Sequence, residues 1–286
     1  MSIATAKMAR EFELTDADFR FLARQVHDLT GIVIHERKRD MIYARLSRRL
    51  RVLGLASFAD YCDFLAGPEG GAEIAAMINA VTTNLTHFFR EPHHFEHLRQ
   101  AALPEFVAAA RNGADKRLRL WSAGCSSGEE PYSIAMTVKS APIDLSRWDV
   151  RILATDLDTD MVGRAGAGCY KSADAESIPA DLAAKYTDTV RTPKGSEVRM
   201  RDSLRQSITF KQLNLMGPWP MHGPFDAIFC RNVMIYFDAE TKAALVERYA
   251  ELLRPDGWLY IGHSESLAKL TDRFQLVGRT IYRRVR

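Results

Sequence analysis

Apolar positions recur three and four residues apart through the first part of the chain, then give way to short apolar runs separated by further helical periods. Residues 12–110 accordingly read as helical. "TDADFRFLARQVHDLTG" offers Thr15 or Asp16 as a cap, apolar residues at helical spacing and a closing Gly31. In "KRDMIYARLSRRLRVLG", Ile42, Leu46, Leu50 and Leu53 fall on one face, and Gly54 ends the run. "SFADYCDFLAG" and "GAEIAAMINAVTTN" predict two further short helices.

From residue 117 the pattern becomes strand, helix, strand. "RLRLWSAG" and "WDVRILATD" read as strands around the helix "EEPYSIAMTVKS", and "TDMVGRAGAG" starts another helix. Then come "SITFKQLNL" and "FDAIFCRNV". The helix "AETKAALVERYAELLRPDG" closes on a Pro-Asp-Gly turn, "WLYIGH" is a strand, and "FQLVGRTIYRRV" forms an antiparallel pair around Gly278. This alternation predicts an α/β fold with a mostly parallel sheet. "TVRTPKGSEVRMR" breaks it with a hairpin turning at Pro193-Lys194-Gly195, so residues 167–208 are expected to form a small inserted antiparallel β-subdomain. The predicted division is a helical domain over 1–85, a linker and helix over 86–116, and an α/β domain over 117–286.

Composition narrows the class. The chain has 286 residues, 47% hydrophobic and 26% charged, with a net charge of +3. That is an ordinary globular balance with no global field for nucleic acid. No run reaches the ~18 apolar residues of a membrane span, and the N-terminus lacks the apolar core of a signal peptide. Four scattered cysteines without a C-x-x-C pair suggest reduced thiols and a cytoplasmic setting.

Candidate chemistry centres on "WSAGCSSGEEPYS" (121–133). A glycine loop between a strand and a helix is where open α/β sheets bind ligands. No lysine follows the last glycine, and Glu129 and Glu130 would repel a phosphate at the helix N-terminus. A ligand with hydroxyls and positive charge fits better. S-adenosylmethionine carries a ribose diol and is cationic at sulfur and amine. Asp156 ends the second strand, 32 positions after Gly124, where a carboxylate can accept both ribose hydroxyls.

Three further strings, "TTNLTHFFREPHHF" (82–95), "NLM" (214–216) and "GPFDAIFCRNVMIYFD" (223–238), join "SAGCSSGEEPYSIAM" and "GHSESL". Together they closely resemble the bacterial chemotaxis receptor methyltransferases of the CheR type, from about residue 15 to the C-terminus. "GCSSG" departs from the G-x-G loop of many methyltransferases, in a family irregular at that point. The resemblance implies a helical N-terminal domain, a Rossmann-like methyltransferase sheet with an antiparallel C-terminal strand, and the inserted β-subdomain. It implies cofactor contacts at Asn84, Thr86, Arg90, Glu130, Asp156, Asn214, Leu215, Arg231 and Asn232. It implies glutamate side chains on a chemoreceptor's cytoplasmic helical bundle as substrate, with S-adenosyl-L-homocysteine as the cofactor product. In part of this family the β-subdomain also binds a short receptor C-terminal peptide. A monomer is expected.

The residues themselves are compatible with that chemistry. Arg90 can pair with a carboxylate, and Arg90 and Tyr236 are the candidates for holding the acceptor. A glutamate acceptor needs no general base, and the loop "RNVMIY" lacks the Asn/Asp-Pro-Pro-aromatic pattern often found in amide and base N-methylation. His93, His94 and His97 have no third ligand at suitable spacing, so they read as packing or surface histidines and no metal is expected. Arg37–Arg51 contains seven basic residues against one acid, Asp40. Arg45, Arg48 and Arg49 on its helix are expected to face outward and meet a glutamate-rich receptor helix. Two other readings compete: an S-adenosylmethionine enzyme of different specificity, and a silent adaptor that keeps only the fold.

Overall fold

The computed structural model describes residues 10–111, 115–193 and 195–286. Two compact units meet in sequence between Thr82 and Thr83.

The first unit is all helical: α1 (Asp16–Thr30), α2 (Arg39–Leu53), α3 (Phe58–Ala66) and α4 (Gly70–Val81). Its boundaries follow from local chemistry. Asp18 donates its backbone N–H to the Thr15 hydroxyl and returns its carboxylate to the Thr15 N–H, a reciprocal cap. Gly31 closes α1 in the left-handed region at φ 72°. The α2 stripe packs inward through Ile42, Leu46 and Leu50, against Phe19, Leu22, Val26, Phe58 and Met77. Leu53, at the end of the stripe, is only partly buried.

The arginines of α2 depart from expectation. Of the three expected to face outward, only Arg48 is exposed, and Arg51, also exposed, pairs with Glu11. Arg45 donates Nη1 to the carbonyls of Ala80 at 3.3 Å and Val81 at 3.0 Å, and also to Thr82. It thereby satisfies the last carbonyls of α4, where a cation is favoured by the helix dipole. Arg49 grips Glu73 with two bonds, 2.9 and 2.6 Å, and Tyr61 Oη donates to the same carboxylate at 2.8 Å. Glu73 is buried, so charge neutralisation drew Arg49 inward. Periodicity separates an apolar face from a polar one, but it carries no information about a partner on another helix.

In the second unit, α5 (His93–His97) runs through a π turn into α6 (Leu103–Arg111). Then follow β1 (Arg117–Ala123), α7 (Glu129–Ser140), β2 (Asp149–Asp156), α8 (Thr159–Ala167), β3 (Cys169–Lys171), α9 (Ala180–Tyr186), β4 (Thr187–Thr192), β5 (Gly195–Met200), α10 (Asp202–Arg205), β6 (Ile208–Gln212), β7 (Phe225–Cys230), α11 (Ala239–Leu252), β8 (Leu253–Ile261), β9 (Phe274–Gly278) and β10 (Ile281–Arg284). The large sheet has the order β6-β2-β1-β7-β8-β10-β9. Its pairs are parallel from β6 to β8 and antiparallel through β10 and β9. This is a mostly parallel sheet with an antiparallel C-terminal edge, as the sequence implied. The separate sheet β3-β5-β4 is antiparallel and lies in the inserted segment, with Lys194 of the expected turn outside the described residues.

Pro255, Asp256 and Gly257 are not a free turn. They lie within β8, where Asp256 takes φ 59° and the register against β7 slips between Phe225 and Ala227. Leu253 already pairs with Phe225, so a bulge absorbs the turn-forming residues. Trp121 fills the space under the sheet, donating Nε1 to Thr155 Oγ1 at 2.9 Å and packing on Trp219, Phe225 and Tyr249. No helix among the described residues is long and apolar enough to cross a membrane.

Replacing Arg49 by Met leaves the buried Glu73 carboxylate without its counter-charge and should cost about 3 kcal/mol of stability. Arg48→Ala should stay within about 0.5 kcal/mol of the parent. Urea unfolding of the two variants checks the contrast, and equal midpoints would place Arg49 on the solvated surface.

Candidate functional site

The parallel strands deliver their C-terminal ends to one edge, where Asp156, Asn214, Leu215, Arg231, Asn232 and Tyr236 lie at or just beyond β2, β6 and β7, Glu130 opens α7, and Asn84, Thr86 and Arg90 come from the segment before α5. After β1, Gly124 and Cys125 both donate to the Thr155 carbonyl, at 2.8 and 2.9 Å, which folds the loop over the end of β2. Gly124 has φ 87°, and a Cβ there would lie 2.3 Å from Val233 Cγ2. Glycine is therefore required by the loop after β7 as well as by its own turn.

Asp156 is central to this loop. Its Oδ2 accepts the Ser126 N–H at 2.7 Å and its Oδ1 the Asp158 N–H at 3.0 Å. Burial raises its pKa, against the pull of those two donors. Each oxygen keeps a lone pair, so the carboxylate can still accept a diol. The β6 exit is tied in by Leu213, whose N–H bonds the Asp156 carbonyl at 2.9 Å. That places Asn214 and Leu215 beside Asp156. The Leu215 carbonyl is already taken by Trp219 Nε1 at 3.2 Å and Arg248 Nη1 at 2.5 Å. Its N–H and side chain are what remain for a ligand.

Glu130 and Arg231 form a partly buried pair. Arg231 Nη1 lies 2.9 Å from Glu130 Oε2, and Ser122 Oγ donates to Oε1 at 2.7 Å. Burial raises the Glu130 pKa, opposed by Arg231 and Ser122. The neighbouring Glu129 turns away to Ser127, at 3.0 and 2.8 Å. Arg231 also donates Nη2 to the Arg90 carbonyl, which joins the 84–91 segment to the loop after β7. On that segment Asn84 Nδ2 bonds Asp158 Oδ2 at 2.8 Å, while Asp158 Oδ1 caps α8. Thr86 is half-buried.

Arg90 lies between two left-handed residues, Phe89 at φ 53° and Glu91 at φ 56°. Its Nη1 donates to the Leu85 carbonyl at 2.9 Å, and among the described residues no carboxylate pairs with it. Asn232 is left-handed at φ 60°, and Tyr236 is half-buried at the end of the turn Met234–Tyr236.

Two acids in this edge carry no chemical motif of their own. Glu91 accepts from His263 Nδ1 at 2.8 Å and from Asn232 Nδ2 at 3.5 Å, and lies 3.6 Å from Arg231 Nη2. Burial alone would raise the Glu91 carboxyl, but His263 and Arg231 outweigh it and hold it at about 2. Glu265 accepts only backbone N–H groups. Both acids fall inside the quoted strings "REPHHF" and "GHSESL", the one signal that could have drawn attention to them. Glu91 is also the third group beside His93 and His94 that spacing alone did not offer, with one ligand atom from each lying within 4.8 Å of the others. Arg231 Nη2 and His94 Nδ1 both lie 3.6 Å from Glu91 Oε2, and burial with Arg231 nearby pushes the His94 imidazole down to about 3.

The chain matches the family model described as "CheR methyltransferase, SAM binding domain" over residues 84–283. It matches "CheR methyltransferase, all-alpha domain" over residues 17–82. It is 42% identical over 259 residues to a probable chemotaxis protein methyltransferase of Rhizobium etli, covering 90% of this chain and 96% of that one. To the chemotaxis protein methyltransferases of Salmonella typhimurium and Escherichia coli it is 41% and 42% identical, covering 96% of this chain and 93% of each.

The acid set fits S-adenosylmethionine: acceptors for a diol at Asp156 and a carboxylate for a cation at Glu130. Because burial raises both pKa values, the two carboxyls take up protons at a higher pH than ordinary carboxylates near ~4. Affinity for the cofactor product should therefore weaken on acidification from neutrality before that ordinary range is reached. Asp156→Ala should weaken it by about 1–3 kcal/mol at neutral pH. Calorimetric titration across pH checks both, and unchanged affinity in the variant would remove Asp156 from the site.

Proposed function

The chain belongs to the CheR methyltransferase family, and from that premise we propose that it esterifies glutamate side chains on the cytoplasmic helical bundle of chemoreceptors, as an S-adenosylmethionine-dependent protein-glutamate O-methyltransferase. The observation that carries the reading is Arg90. Among the described residues it has no carboxylate partner, whereas Arg231, the other site arginine, is committed to Glu130 and the Arg90 carbonyl. The site thus keeps one cation ready for an incoming carboxylate.

The proposed roles follow from the contacts. Asp156 accepts the ribose hydroxyls and Glu130 faces the cationic amine. Asn84, Thr86, Asn214, Leu215, Arg231 and Asn232 line the same cofactor, Leu215 through its N–H or side chain. When bound, the cofactor supplies an electrophilic methyl: an oxygen–carbon bond forms, the sulfur–carbon bond breaks, and the electron pair goes to sulfur. Arg90 and Tyr236 hold the acceptor oxygen in line. An acceptor glutamate, with an unperturbed pKa near ~4.3, is already ionised at neutral pH, so no residue of the chain needs to remove a proton. Anion and cation are consumed together, so an edge shielded from water favours the step. Alignment is then the main contribution of the protein.

For the receptor we propose a narrower recognition face than the sequence suggested. Arg45 and Arg49 are engaged inside the helical unit. Arg48 is exposed with no ion pair among the described residues, and Arg37 likewise. These two are the ones available to pair with acidic side chains.

The deciding assay transfers labelled methyl to receptor-containing membranes, adds mild alkali and counts volatile label. Glutamyl esters release methanol there, whereas N-methyl products hold their label, which would end the ester reading. Arg90→Ala should keep its unfolding transition while transfer falls on the order of 100-fold. Arg48→Glu should slow receptor methylation with cofactor affinity intact, and added salt should mimic it in the parent. Normal rates in that variant would return the face to plain solvated surface.

A further inference from the structure

Glu265 stands in the turn after β8 and is buried. Its Oε2 accepts the N–H groups of Asn232 at 3.0 Å and Gly262 at 2.5 Å, and its Oε1 accepts the Ile235 N–H at 3.2 Å. A buried carboxylate usually finds a counter-ion. Glu265 makes no ion pair among the described residues and is held by backbone donors instead. Those donors come from two chain segments, the β8 turn and the loop after β7 that carries Arg231, Asn232 and Tyr236.

The two segments touch backbone to backbone. A Cβ on Gly262 would lie 2.3 Å from Asn232 Nδ2 and 2.7 Å from the Asn232 N. Asn232 holds a left-handed conformation at φ 60°, one that asparagine takes more readily than most side-chain-bearing residues. An ionised carboxylate is acceptor-only, so it can take all three N–H groups at once. Its two oxygens divide the work. Oε2 fixes the start of the loop at Asn232, and Oε1 fixes the residue immediately before Tyr236.

Building on the transfer reading above, we propose that Glu265 is a positioning residue for methyl transfer: it sets the conformation of the Arg231–Tyr236 loop, so that Tyr236 meets the acceptor. It acts through the backbone and has no assigned contact with cofactor or acceptor.

The substitution that tests this is Glu265→Gln, which keeps the shape but replaces one acceptor oxygen by a donor. The amide oxygen satisfies the Asn232 and Gly262 pair, and the amide NH2 is left against the Ile235 N–H. The disturbance therefore falls at the Tyr236 end of the loop. Cofactor-product affinity should change less than about threefold while kcat drops on the order of 10–100-fold. The decisive readout is a double-mutant cycle with Tyr236→Phe. If Glu265 acts through Tyr236, E265Q in the Tyr236→Phe background should cost less than about threefold in kcat. Equal losses in both backgrounds, cofactor affinity falling in step with kcat, or a normal kcat in E265Q would each overturn the proposal. Loss of the cooperative unfolding transition in E265Q would do so too, by making Glu265 a stability residue. Wild-type transfer of alkali-labile methyl is read first. Its absence ends the transfer reading and this proposal together, whereas wild-type transfer with an additive cycle ends this proposal alone.

Discussion

Arg231 is the interaction on which the functional edge depends. Its guanidinium is nearly enclosed, with a side-chain exposure of 2%. It is held by the Glu130 carboxylate from α7, the Arg90 carbonyl from the 84–91 segment, and the more distant Glu91. A cation so placed is stable only while its partners stay, and removing one leaves an uncompensated buried charge. Three chain segments far apart in sequence are therefore locked to one point. The same arrangement commits Arg231, whereas Arg90 donates to the Leu85 carbonyl and has no carboxylate partner among the described residues.

The carboxylates around that point fall into two kinds. Asp158 and Glu265 are taken up by the protein itself: Asp158 caps α8 and receives Asn84, and Glu265 gathers three backbone N–H groups. Asp156 and Glu130 each accept one bond per oxygen, fewer than Asp158 or Glu265. Burial raises the pKa of Glu265, Asp156 and Glu130 alike. The contrast that matters chemically is in spare lone pairs rather than in charge.

In the helical unit, a similar economy operates on arginine. One basic helix supplies a helix-end cap through Arg45, a counter-ion through Arg49, and exposed charge through Arg48. Arg51 pairs with Glu11 at an exposed site, where such a pair contributes little. The density of positive charge in sequence thus overstates the charge available to a partner.

By itself the sequence determined what depends on local periodicity and local chemistry. The stripe Ile42, Leu46 and Leu50 fixed which face of α2 is inside, because helical spacing and burial obey one geometry. Gly31 and Gly54 marked helix ends, because few other residues take the left-handed region cheaply. The alternation after residue 117 predicted the parallel sheet, and a strand-ending acid such as Asp156 was legible because strand ends in such sheets face ligands. What tertiary structure decided was pairing across long separations. That Arg45 caps α4, that Arg49 neutralises Glu73, that Glu91 joins His263, Asn232 and Arg231, and that Glu265 spans two loops depends on atoms brought together from distant parts of the chain. Even the Pro255-Asp256-Gly257 turn became part of a strand, because pairing with β7 outweighed its local preference. A hydrogen bond or ion pair is set by distance and direction in space, and neither is written in the order of residues.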